Sequence, residues 1–106
     1  MISHSIVTEV INTIVNRYKP EKIFVFGSFA RKELTKDSDL DLLIIKDTDE
    51  SFYMRSRAIR SLFGRQPCPM DILVFTPEEF EKRKNTLNNI VNIAVKTGEL
   101  VYERSD

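Results

Sequence analysis

Asp39 and Asp41 stand one residue apart at the head of the apolar run Leu42-Leu43-Ile44-Ile45. A strand sends successive side chains to opposite faces, so both carboxylates project from the same face. Two negative charges side by side are costly unless a cation sits between them, and carboxylate oxygens are the ligands that hard Mg²⁺ prefers. A third acid, Asp71, interrupts the apolar segment Met70-Asp71-Ile72-Leu73-Val74-Phe75. That segment reads as a strand paired beside the first, and an acid among residues that otherwise belong in a core needs a reason. Three converging carboxylates can hold two Mg²⁺ ions, one on a triphosphate and one lowering the pKa of an attacking hydroxyl. Asp71 would border the acceptor side.

Gly27-Ser28 follows Lys22-Ile23-Phe24-Val25-Phe26, a β-branched and aromatic run. A glycine at a strand-to-helix turn lets backbone approach closely, and free N–H groups at a helix start attract phosphate. Ser28 adds a hydroxyl. Arg31, one turn on and on the same helical side as Ser28, is placed either to reach a triphosphate with a planar guanidinium or equally to be solvated. Singly these signals are weak, since a Gly-Ser pair is commonly a plain turn and an acidic pair a solvated strand entrance. Their combination with Asp71 favours chemistry.

The surrounding elements follow from periodicity. Ile6, Val7, Val10, Ile11, Ile14, Val15 and Tyr18 recur every three or four residues, predicting a helix that ends before Pro20. Strands are expected over 22–26, 39–45 and 70–75, with a short helix over 28–33 and a polar connection over 34–38. Ser51 opens a helix with Met54, Ala58, Ile59, Leu62 and Phe63 on its apolar side, closed by Gly64. Arg55, Arg57 and Arg60 then form a solvated face, or, in the sharper reading, a patch for an acidic partner. Thr76-Pro77-Glu78-Glu79 carries a capping box with proline at the first helical position. Leu87, Ile90, Val91, Ala94 and Val95 form a core stripe, or alternatively a dimer face, on a helix ending near Gly98, and Leu100-Val101-Tyr102 a short edge strand. The expected fold is α/β (α+β): one domain over residues 1–106, with a small mixed sheet and its helices on one side.

Sixteen Lys plus Arg balance sixteen Asp plus Glu, so the long-range attraction of nonspecific nucleic-acid binding is missing and a long polynucleotide substrate is disfavoured. Cys68, the single cysteine, lies between two prolines, cannot form an internal disulfide and reads as a turn residue. His4 has no partner acid in sequence and receives no role. No apolar run reaches the roughly 20 residues of a membrane span, and a cytoplasmic location is the default.

Gly27-Ser28, ten intervening residues, Asp39-Leu40-Asp41 and then Asp71 within an apolar strand resemble the signature of the DNA polymerase β nucleotidyltransferase superfamily. The string GSFARKELTKDSDLDLLII, with Ser38 ahead of the acidic pair, resembles its minimal nucleotidyltransferase branch. The family's common glycine after Ala-Arg is Lys32 here. The resemblance implies a palm-like core, metal binding by Asp39, Asp41 and Asp71, and a triphosphate held by Gly27 and Ser28. It implies transfer of a nucleoside monophosphate, AMP from ATP or the equivalent from another NTP, to a hydroxyl on a separate macromolecule. In that branch the acceptor is typically a HEPN-type helical protein silenced by adenylylation, in a toxin–antitoxin pair. Two other readings stand beside it: a noncatalytic antitoxin subunit that keeps the nucleotide site for structure or sensing, and a small-molecule modifier, which needs an acidic pocket.

Overall fold

In the computed structural model, which describes residues 3–27, 30 and 39–105, the N-terminal stripe forms helix α1 (His4–Tyr18). Its buried residues Val7, Val10 and Ile14 follow the three-and-four spacing. The Ser3 hydroxyl accepts the Ile6 amide at 3.2 Å. At the other end Lys19 takes a left-handed φ of 55°. Lys46 donates to the carbonyls of Tyr18 at 2.8 Å and Lys19 at 3.3 Å, a cation where the helix dipole is negative.

Strands β1 (Lys22–Phe26), β2 (Leu40–Ile45), β3 (Met70–Phe75) and β4 (Glu99–Glu103) form one sheet in the order β3-β2-β1-β4. β1 is antiparallel to both β2 and β4, whereas β2 and β3 are parallel. A parallel pair needs a crossover, which residues 46–69 supply through helix α2 (Phe52–Arg60). Helices α3 (Pro77–Arg83) and α4 (Ile90–Thr97) precede β4. The expected helix over 28–33 and connection over 34–38 lie, apart from Ala30, outside the described residues.

The mixed sheet matches the sequence expectation, but the helices are not confined to one side. Ile23, Val25, Leu40, Leu42, Ile44, Met70, Ile72 and Val74 point to one face and bury Val7, Val10 and Ile14 of α1 with Ile59 of α2. Phe24, Phe26, Leu43, Ile45 and Phe75 point to the other and bury Phe80 of α3 with Val91 and Ala94 of α4. This two-sided burial explains why β2 is continuously apolar after Asp41.

The capping box forms as expected: the Thr76 hydroxyl accepts the Glu79 amide at 3.2 Å and the Glu79 carboxylate accepts the Thr76 amide at 2.9 Å. Three local expectations are corrected. Arg55 is buried rather than solvated, and Arg60 is half-buried. Met54 is exposed, because the inward side of α2 belongs to Arg55 and Ile59. Cys68 lies in a bend of the connection before β3, as expected, and its side chain packs into the α1-side core, in keeping with the apolar character of a free thiol. In the stripe from Leu87 to Val95, Val91 and Ala94 are core, while Leu87 precedes α4 and is 73 % exposed.

Arg55 joins the two layers. Its Nη1 meets Glu79 Oε1 at 2.7 Å and the Val74 carbonyl at 3.3 Å, and its Nε donates to the Glu50 carbonyl at 2.9 Å. One guanidinium thus ties α2, β3 and the start of α3. Removing one member of a buried pair leaves the other charge desolvated, at about 3–5 kcal/mol. Glu79 keeps 34 % side-chain exposure, which favours the lower end. Arg55→Ala is therefore expected to cost about 3 kcal/mol and lower Tm by roughly 10–20 °C, measured by thermal unfolding. The hydrogen bond from Arg55 holds the Glu79 carboxyl below its ordinary value of 4.5. A depressed carboxyl stabilises the fold fully above its unfolded pKa and loses that contribution as pH falls through the folded one. The stability difference between the wild type and Glu79→Gln should stay constant above about pH 5 and shrink below about pH 4.5, as followed by urea midpoints across that range.

Candidate active site

Asp41 is the second residue of β2 and Asp71 the second of β3. The parallel register sets them directly opposite each other, and on the far side of β2 the partner of Asp41 is Phe26. Adjacent strands bring paired Cα atoms to about 4.8 Å. Alternation puts Asp41 on the face of Leu43 and Ile45, and Asp71 on that of Leu73 and Phe75. The α3/α4 side of the sheet is therefore apolar at one end and carboxylate at the other. Asp39, just before β2, shares the parity of Asp41, and the amide of Leu40 donates to the Pro69 carbonyl at 2.9 Å, extending the β2–β3 pairing to this end. Asp39 and Asp71 are exposed and Asp41 half-buried.

Gly27 follows β1 directly, with φ +71°, where a side chain is strained. Its space is also taken: a Cβ built there would run into Asp41 Oδ2 and lie 3.0 Å from Asp41 Cγ. The backbone turn and the carboxylate are thus packed against each other. Gly98 makes the second close approach, since a Cβ there would lie 2.6 Å from the Val25 carbonyl oxygen and 2.9 Å from Phe26 Cβ. This contact seats the end of α4 against the end of β1, beside the turn at Gly27.

Ser28 and Arg31 lie outside the described residues, as do Lys32 and Ser38. The donors at the described part of the site are all carboxylates, which suits a hard divalent cation rather than a thiolate- or imidazole-seeking one. Two such groups about 5 Å apart repel by roughly 3 kcal/mol at an effective dielectric of 20, a repulsion that a bound cation would reverse. Among the described residues no three His, Cys, Asp or Glu side chains are already gathered as a metal-ligating group. What the fold supplies is the register that brings the backbones of these acids together. Cys68 is not a nucleophile for this site: burial, and then the charge of Asp39, push its thiol pKa up. An open depression of about 720 Å³ lined by His4, Thr8, Asn12 and Arg17 runs along the outer polar side of α1. It lies behind the sheet from the acids and is a solvated helix face.

Arg60, expected on a solvated face or a patch for an acidic partner, instead donates from Nη2 to the Met70 carbonyl at 2.9 Å, next to Asp71. No local signal marked it, because Arg55 and Arg60 are five residues apart and share no helical stripe, and the contact requires knowing which strand flanks the helix.

Residues 7–106 match the family described as Nucleotidyltransferase domain. The chain is 37 % identical over 81 residues, 74 % of its own length and 79 % of the relative's, to a Methanocaldococcus jannaschii protein named "Putative protein adenylyltransferase". Among solved structures it resembles the crystal structure of "a putative nucleotidyltransferase from Sulfolobus solfataricus", with a TM-score of 0.64 and 18 % identity over 94 % of this chain and 79 % of that one. That likeness carries the fold. No described helix is long and apolar enough to cross a membrane. The family match over nearly the whole chain, on a fold that sets Asp41 against both Gly27 and Asp71, makes this protein a nucleotidyltransferase of the polymerase β-like superfamily.

Proposed function

We propose that this nucleotidyltransferase moves AMP from ATP to a hydroxyl of a partner macromolecule, with Mg²⁺, and that the acceptor is a HEPN-type helical toxin which the transfer silences. The observation that carries the reading is the Asp41–Asp71 pair, in register on one face with Gly27 packed on Asp41. In this reading Asp39 and Asp41 hold the cations and the triphosphate, Asp71 faces the acceptor, and Gly27 with Ser28 gives the phosphates room and donors. Arg31 adds a charge to the triphosphate. When bound, Mg²⁺ supplies charge neutralisation and a more acidic hydroxyl. The acceptor oxygen bonds to the α-phosphorus, the bond to pyrophosphate breaks, and the hydroxyl proton leaves on the Asp71 side.

Two observations support a protein acceptor and an adenylyl group. The M. jannaschii relative carries the name of a protein adenylyltransferase. The described surface also exposes apolar residues at Leu87, Ile90, Ile93 and Leu100, on and beside the helix that covers the acid-bearing face of the sheet. Exposed apolar surface of this kind suits a macromolecule better than a small polar acceptor.

Two outcomes test this. With α-phosphate-labelled ATP, Mg²⁺ and host lysate, label is expected on one macromolecule with the wild type and on none with Asp39→Ala, Asp41→Ala. No label from any of the four nucleotides would leave the noncatalytic partner-binding subunit as the better reading. Gly27→Ala should reduce transfer by about 100-fold, because the methyl displaces the Asp41 carboxylate. The left-handed alanine itself costs about 1–2 kcal/mol, so a Tm lowered by no more than roughly 10 °C, beside near-complete loss of label transfer, is the expected pattern.

A further inference from the structure

We propose that Arg60 is a positioning residue for Asp71, acting through the Met70 peptide at the free edge of β3; the inference rests on the reading of Asp71 as a site residue. β3 is an edge strand with β2 as its neighbour. In a parallel pair, the backbone groups of alternate residues face the neighbouring strand and those between face away. The Pro69 carbonyl accepts from Leu40 and the Phe75 carbonyl from Lys46, so odd-numbered residues face β2. The carbonyls of Met70, Ile72 and Val74 therefore face outward.

Two of those three are taken by guanidinium groups from α2. Arg60 Nη2 donates to Met70 at 2.9 Å and Arg55 Nη1 to Val74 at 3.3 Å. The two arginines have different duties. Arg55 is also ion-paired with Glu79 and ties the layers together. Arg60, the last residue of α2, meets β3 where the strand begins, and the strand's next residue is Asp71. The peptide group is planar, so holding the Met70 oxygen fixes the plane that carries the Asp71 nitrogen. The pairing with β2 constrains that plane from the other side. A strand end is where an edge frays first, and Asp71 is one residue from that end. Arg60 thus sets the direction in which the Asp71 carboxylate leaves the sheet.

The test compares Arg60→Ala and Arg60→Lys with the exposed Arg57→Ala on the same helix, and with Asp71→Asn. Label transfer from ATP to the lysate acceptor is measured as a maximal rate and as an ATP KM, and amide exchange is followed along β3. Arg60→Ala is expected to lower the maximal rate by about tenfold with little change in KM. It should speed exchange at the Asp71 amide and leave the Phe75 end of the strand unchanged. Arg60→Lys, which keeps a donor to one carbonyl, should recover most of the rate, and Arg57→Ala should match the wild type. A wild-type rate and unchanged Asp71 exchange in Arg60→Ala, with Asp71→Asn inactive, overturns the proposal. So does exchange raised uniformly along β3 with a Tm loss as large as that of Arg55→Ala, which would mark a purely structural role. Full activity in Asp71→Asn would instead remove the site reading, and the exchange measurement alone would then decide whether Arg60 holds the strand end.

Discussion

The parallel pairing of β2 with β3 is the constraint from which the site follows. It sets Asp41 opposite Asp71, and it is pinned by hydrophobicity rather than by the acids. A slip of one residue would turn Ile72 and Val74 outward and drive Asp71 into the core formed by Val10, Ile14 and Ile59. An unpaired carboxylate there would cost several kcal/mol. The register that places the acids together is thus protected against the one-residue slip that would bury Asp71 among aliphatic side chains.

That pairing has a consequence for α2. A parallel strand is reached only by a crossover, and here the crossover helix runs beside the strand it delivers. Its inward side carries Ile59 toward the core and two guanidiniums toward the carbonyls of an edge that would otherwise depend on water or a foreign strand. Arginine suits the position because its planar group can satisfy a carbonyl and a carboxylate at once, as Arg55 does with Val74 and Glu79. At the opposite edge, β4 packs against β1 and is largely half-exposed or exposed.

What the sequence disclosed and what it concealed divide by range. The four strands, the α1 stripe and the Thr76 capping box are local patterns, readable because each depends on residues within a turn or a pleat of one another. The shared face of Asp41 and Asp71 was legible for the same reason: period-two alternation fixes the face, and an apolar strand makes each acid conspicuous. Arg55 was misread because its partner lies 24 residues away, and a basic helical residue looks the same whether it meets water or a distant carboxylate. The sidedness of the helices was misread because a continuously apolar strand reports two covered faces only once the partners of each face are known. Leu87 was misread because helical spacing persists past the point where Asn89 caps α4.

The charge balance of the site follows from the same geometry. Three carboxylates and a triphosphate are mutually repulsive, and a chain with sixteen basic and sixteen acidic residues offers no general positive field to offset that repulsion. Of the arginines nearest β3, Arg55 is committed to Glu79 and Arg60 to a backbone carbonyl, so their charge is directed at the fold. In the proposed reaction, attraction for the nucleotide must then come from short-range sources: backbone N–H groups at the Gly27 turn, a cationic side chain such as Arg31, and cations shared between substrate and acids. Such a site has little affinity for a bare polyanion, and its grip depends on contacts within a few ångströms of Asp41. In that proposed reaction, selectivity for a macromolecular acceptor would accordingly be set by shape and apolar contact beside the site rather than by long-range charge.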